Sequence, residues 1–156
     1  MVKNEADVIQ ATLQPFLDAG IDSFLILDTG STDNTISLIR KIFDDYNIGH
    51  GYIVEQPFVD FATSRNYALQ CAEEQFPTAH FFLMPDAEWY MNNVSGLLEF
   101  CRNMLSAEHN SYLIQMRNSD DSFRFAQQRL LRAHKGLRFV GVVHETPNQG
   151  TSMHVS

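Results

Sequence analysis

The sequence predicts an α/β fold: a Rossmann-like, mostly parallel sheet with helices on both faces, finished by an antiparallel β portion at the C-terminal end. Two observations carry this. Through residue 105, short apolar runs alternate with segments whose apolar residues fall at helical spacing, the signature of parallel strands joined by covering helices. Beyond residue 105 the pattern turns to β-rich runs separated by polar turns, as in strands paired with their near neighbours.

Taken in order, Met1 and Val2 are at most the tail of a strand, because Lys3-Asn4-Glu5 follows at once. Residues 6–19 carry Val8, Ile9, Leu13, Phe16 and Leu17 at helical spacing; Gly20 is a natural stop, and Pro15 weakens the last turn. Residues 23–27 are a buried strand, 28–34 a polar loop rich in capping residues, and 35–43 an amphipathic helix. A strand at 52–54, a helix at 62–76 closed by Pro77, and a strand at 80–84 follow. The next helix covers 93–105, and strands are expected at 112–116, 123–131 and 137–143. One domain over 1–146 is expected, with 147–156 a frayed, disordered tail.

Composition narrows the function classes. Hydrophobic residues make up 44% and charged ones 19%, which suits a globular protein with a substantial core. A formal net charge of −8 leaves no basic stripe to neutralise phosphates, so nucleic acid is excluded as a partner, and anionic lipid is a poor fit. Cys71 and Cys101 fall inside predicted helices thirty positions apart, most simply as buried thiols in a reducing compartment. No signal peptide and no apolar span of about 18 residues is present, so a cytoplasmic protein with no integral membrane segment is the expectation.

Two stretches hold candidate chemistry. At 80–90, HFFLMPDAEWY, an apolar run stops at Pro85 and delivers Asp86 and Glu88 just past the carboxyl end of a strand, where ligands bind in open α/β sheets. In an extended segment residues i and i+2 share a side, so the two acids suit one hard cation; a solvated surface turn is the competing reading. The loop 28–33 is a strand-to-helix connection in which Gly30 permits a tight turn and Ser31, Thr32 and Asp33 can cap the next helix. It lacks the Gly-Lys-Ser/Thr of a phosphate loop and the further glycines of the dinucleotide fingerprint. A plain cap and a nucleotide loop therefore stand side by side, with Asp28 placed to accept bonds from a base or ribose.

Five strings occur in a telling order: VKNEADVI at 2–9, DTGSTDNT at 28–35, FATSRNYAL at 61–69, PDAE at 85–88, and QRLLR with FVGVVHE at 128–145. Together they resemble the family 2 glycosyltransferases of the GT-A fold, in particular the bacterial lipopolysaccharide-core glucosyltransferase-like branch. The resemblance spans about residues 2–145. It implies a metal-dependent, inverting transfer from a nucleotide-sugar, a UDP-sugar by expectation, to a saccharide, lipid-linked or protein acceptor. By the same resemblance Glu5, Asp28, Arg65 and Asp86 contact the nucleotide-sugar, Asp86, Glu88 and His144 hold Mn²⁺ or Mg²⁺, and Glu145 is the catalytic base.

The chain departs from the family pattern at three places. Of the apolar residues that would form the first strand only Met1 and Val2 remain ahead of Lys3-Asn4-Glu5, so that strand is shortened and the chain is an excised or naturally short domain by expectation. Thr29, not a second acid, follows Asp28, and the metal motif reads D-A-E after Pro85. A glycosyltransferase-like module that binds without turnover is therefore the alternative. Individual residues also have plainer readings: Arg65 as an ion pair, His144 as a structural imidazole, Glu145 as a cap or bridge. Asp120 and Asp121 are an alternative base or a solvated turn. Trp89 and Tyr90 are a sugar-stacking surface or packing, and at most one of Arg129 and Arg132, which face opposite ways on one strand, serves a site.

Overall fold

Strand β1 (Ser23–Asp28) and strand β2 (His50–Glu55) pair in parallel from Ser23↔His50 to Asp28↔Glu55. Parallel neighbours need a crossover, and helix α2 (Thr35–Asp45) provides it. A computed structural model describes residues 1–141 of the chain, with the backbone of 146–147 and 152–155. Val2 lies beside β1 through a parallel bridge to Asp28: its N–H donates to the Leu27 carbonyl (2.8 Å), and its carbonyl accepts from Thr29 N–H (3.0 Å). The two residues before Lys3 thus act as a strand end, with Val2 buried in the core.

Helix α1 (Ile9–Asp18) begins three residues later than its apolar spacing predicts, because residues 2–8 are committed to turns and to the loop after β1. It continues past Pro15 and closes on Gly20, whose N–H reaches the Leu17 carbonyl at 3.0 Å with φ 80°. The apolar stripes of α1 and α2 meet in one cluster: Ile9, Leu13 and Leu17 against Ile39, Ile42 and Phe43, with Val2 and Ala87. Phe24, Ile26 and Ile53 of the two strands pack onto it. Gly51 is required by this packing, since a Cβ there would stand 2.5 Å from the Phe43 ring.

The chain divides into two compact units. The first comprises 1–59 and 86–103, including helix α4 (Val94–Asn103); the second comprises 60–85 and 104–156. In the second, helix α3 (Phe61–Gln75) is capped by Asp60, whose carboxylate accepts from Thr63 N–H (2.7 Å) and the Thr63 hydroxyl (2.9 Å). Strand β3 (Phe81–Leu83) pairs antiparallel with β5 (Arg124–Arg132), and β5 pairs antiparallel with β4 (Ser111–Arg117). Leu131, Leu137 and Phe139 pack with Ala62 and Leu69 of α3 and with Phe82 and Met84.

The fold class is the α/β arrangement expected, with parallel strands, helices and an antiparallel portion formed by the C-terminal strands. The parallel part is narrower than the alternation suggests, because β3 joins the antiparallel sheet. Short strands β6 (Phe139–Val140) and β7 (Thr146–Pro147) pair with each other, and Ser152–Val155, within the stretch expected as a tail, run as β8 parallel to β4. Cys71 and Cys101 are free thiols, half-buried rather than buried.

Candidate functional site

Residues 2–5 and 28–35, far apart in the chain, are laced together. Asn4 adopts φ 55°, a conformation that asparagine tolerates, and so turns its side chain under the loop after β1. Its Oδ1 accepts from Thr32 N–H (2.7 Å) and Asp33 N–H (3.2 Å), while its own N–H donates to Ser31 Oγ (2.9 Å). Glu5 N–H donates to Thr35 Oγ1 at 2.8 Å, and Ala6 N–H to Asp33 Oδ2 at 3.3 Å. Thr35 is fully buried, and Asp33 accepts from its N–H at 3.0 Å. Those bonds, the Thr35 hydroxyl first, hold the Asp33 carboxyl below its ordinary value.

Asp28 serves this loop before it can serve a ligand. Only 1% of it is exposed, and its Oδ1 accepts from Gly30 N–H and Ser31 N–H, both at 2.8 Å. Its Oδ2 is buried with no hydrogen-bond partner among the described residues. An orphaned buried acceptor is costly, so Oδ2 is the atom through which Asp28 has bonding capacity left.

The acidic turn belongs to the same unit. It is a turn and not the extended segment expected, since Trp89 N–H closes on the Asp86 carbonyl at 3.1 Å. Ala87, between the acids, is buried in the α1–α2 core; Asp86 is half-buried and Glu88 exposed. Thr12 of α1, itself buried, donates its hydroxyl to the Ala87 carbonyl. Of the two aromatics that follow, Trp89 is buried and Tyr90 is 64% exposed, so only Tyr90 presents a ring to solvent.

Glu5 joins the two halves of the site. Burial, then Glu88, then Asp33 raise its carboxyl above the ordinary 4.5. The structure thereby brings Glu5, the loop acid Asp33 and the turn acid Glu88 within electrostatic reach of one another. A raised carboxyl favours protonation in the folded chain, so the contribution of Glu5 to stability is greatest below about pH 4.5 and is lost as pH rises through the folded value. Glu5→Gln is accordingly expected to raise Tm by about 1–3 °C at pH 8 and to leave it nearly unchanged at pH 4, measured by circular dichroism.

Other candidates fall elsewhere. Arg65 belongs to the second unit, where it is 3% exposed on α3 with its guanidinium 6.0 Å from the Phe61 ring centre. Asp121 pairs with Arg124 at 2.6 Å, which lowers its carboxyl, and Asp120 is lowered by bonds to Ser122. A lowered carboxyl is a weaker base, so these residues make a hairpin tip. Arg132 is spent on main-chain carbonyls at 104, 105 and 109 and walls a cavity of about 830 Å³ at the amino end of β3. Arg129 is buried, with its guanidinium 5.7 Å from the Phe139 ring centre. His144 and Glu145 lie outside the described residues.

Among the described residues, no group of three or more His, Cys, Asp or Glu side chains is arranged to hold a metal ion. Asp86 and Glu88 alone offer two oxygen ligands, the donor chemistry of a hard divalent cation that takes the rest of its shell from water or phosphate. Sequence reasoning did not single out Asn4 and Thr12. Their partners are main-chain groups distant in the sequence, and the only local sign at Asn4 is a residue type that accepts positive φ.

No protein-family model matches the chain. No curated protein matches it in sequence. Among solved structures it is similar to S. aureus TarS 1–349, with TM-score 0.62 and 20% identity over 76% of this chain and 34% of that one. The crystal structure of TarS 1–349 in complex with UDP gives TM-score 0.59 and 19% identity, covering 74% and 33%. The crystal structure of S. aureus TarS gives TM-score 0.58 and 20% identity, covering 76% and 21%. The chain thus spans about a third of TarS 1–349. This likeness shows the fold that the chain shares with that part of TarS.

Proposed function

We propose that the chain is the donor-binding part of a glycosyltransferase, moving a sugar from a UDP-sugar to an acceptor hydroxyl with inversion. The observation that carries this reading is the meeting of the loop after β1 and the acidic turn at Glu5, in a fold like that of TarS, which has been crystallised with UDP. Glu5 and the open Oδ2 of Asp28 receive the nucleoside. Asp86 and Glu88, with His144 as the resemblance implies, would hold Mn²⁺ or Mg²⁺. When bound, the cation neutralises the charge that gathers on the diphosphate leaving group. Glu145 accepts the proton of the acceptor hydroxyl as its oxygen bonds the anomeric carbon and the carbon–phosphate-oxygen bond breaks. The acceptor is a saccharide, a lipid-linked sugar or a protein, and the setting is cytoplasmic; no described helix is long and apolar enough to cross a membrane.

A second reading, a module that binds nucleotide-sugar without turnover, is favoured by the D-A-E motif. Calorimetry with UDP, with and without Mn²⁺, separates the two when paired with an assay for slow UDP-sugar hydrolysis. The enzyme reading expects UDP affinity to rise with Mn²⁺ and hydrolysis to be measurable. Metal-indifferent binding without hydrolysis favours the module, and no UDP binding under either condition removes both.

A further inference from the structure

We propose that Thr12 is a positioning residue, setting the acidic turn from beneath so that Asp86 and Glu88 are held where a nucleotide diphosphate and its cation would meet them. The inference rests on the donor-site reading above. Thr12 lies in the middle of α1 and is 6% exposed. Its hydroxyl oxygen stands 3.3 Å from the Val8 carbonyl, the usual acceptor for a threonine within a helix. It is closer still to the Ala87 carbonyl, 75 positions away in sequence. One hydroxyl has one proton, so the nearer acceptor takes it.

Ala87 is held a second time, because its side chain is buried in the same core cluster as Ile9 and Leu13 of that helix. The residue between the two acids is therefore fixed through both its backbone and its side chain. Asp86 and Glu88 are its immediate neighbours, and Pro85 restrains the chain on entry. Carboxylates that must bind an ion together need their backbone placed to within about half an ångström. The Thr12 hydroxyl is a polar contact that ties this turn to α1. If it were only an ordinary helical threonine, satisfied by Val8, its removal would leave the turn where it is.

The test compares the 156-residue chain with Thr12→Val, Thr12→Ser and Asp86→Asn. Valine keeps the shape and loses the hydroxyl; serine keeps the hydroxyl. UDP affinity is measured by calorimetry with and without Mn²⁺, and Mn²⁺ binding alone by electron paramagnetic resonance. Thr12→Val is expected to weaken Mn²⁺-supported UDP binding about tenfold, the usual cost of losing a residue that orients a metal ligand. Metal-free UDP binding should stay within about twofold, and Thr12→Ser should restore the Mn²⁺-supported value to within about twofold. Thr12→Ala is read in place of valine should that variant fail to fold. Wild-type Mn²⁺ and UDP binding by Thr12→Val, while Asp86→Asn loses both, would overturn the role of Thr12 and leave the donor site standing. Serine failing as badly as valine would overturn it too. Wild-type binding by Asp86→Asn would overturn the donor site itself, and the positioning role with it.

Discussion

Asp86→Asn is expected to abolish the Mn²⁺-dependent part of UDP binding, a loss of about 100-fold, while Tm stays within about 2 °C of wild type. The asymmetry follows from where the side chain sits. Asp86 is half-buried on a turn whose shape comes from its own main chain, through the bond from Trp89, and from the buried Ala87 beside it. Replacing a carboxylate by an amide of the same shape leaves both supports in place. It does remove a charge from the turn that would face a cation and a diphosphate. Calorimetry at fixed ionic strength reads the affinity, and circular dichroism reads the fold. A folded Asp86→Asn chain that still binds UDP more tightly in the presence of Mn²⁺ would eliminate the proposed metal site.

Arg132→Met should do the opposite: a loss of about 2–4 kcal/mol in stability with UDP affinity unchanged. The guanidinium donates from Nε to the His109 carbonyl (2.9 Å), from Nη1 to Leu105 (3.2 Å) and from Nη2 to Met104 (2.7 Å) and the Tyr112 hydroxyl (3.2 Å). It also stands 4.8 Å over the Phe81 ring. One planar cation thus gathers the loop between α4 and β4 onto the end of β5. Methionine keeps the stem and leaves three carbonyls to find water, which corresponds to a fall in Tm of about 5–12 °C. Lysine should recover little, since its point charge cannot address acceptors arrayed as a fork. An unchanged Tm in Arg132→Met would show that water replaces the guanidinium at no cost.

These two residues also mark what the sequence could and could not disclose. The apolar periodicity that exposed α2, α3, β1 and β5 is a property of neighbouring residues, so it is legible without a fold. The partner of β3 is not such a property: Phe81-Phe82-Leu83 reads the same beside a parallel or an antiparallel neighbour, and the structure pairs it with Arg132, Leu131 and Leu130 of β5. Asp86 drew notice because an acid after a buried run has few other uses. Arg132 drew notice only as one of two arginines that could serve a site; its structural part was not legible, because its acceptors are main-chain carbonyls 23 to 28 positions away. Glu5 was legible only through the family resemblance. Nothing in Lys3-Asn4-Glu5 announces that Asn4 supports one loop while Glu5 sits between that loop and a turn more than eighty residues on.

The lacing of Asn4 into the loop after β1 has a consequence for anyone who would move or redesign this region. The two segments form one structural part, so transplanting residues 28–35 onto another scaffold without residue 4 would carry over the letters and leave the shape behind. Substitutions at 4 and at 31–33 should accordingly be judged as pairs, a change at one being tolerable chiefly when the other answers it.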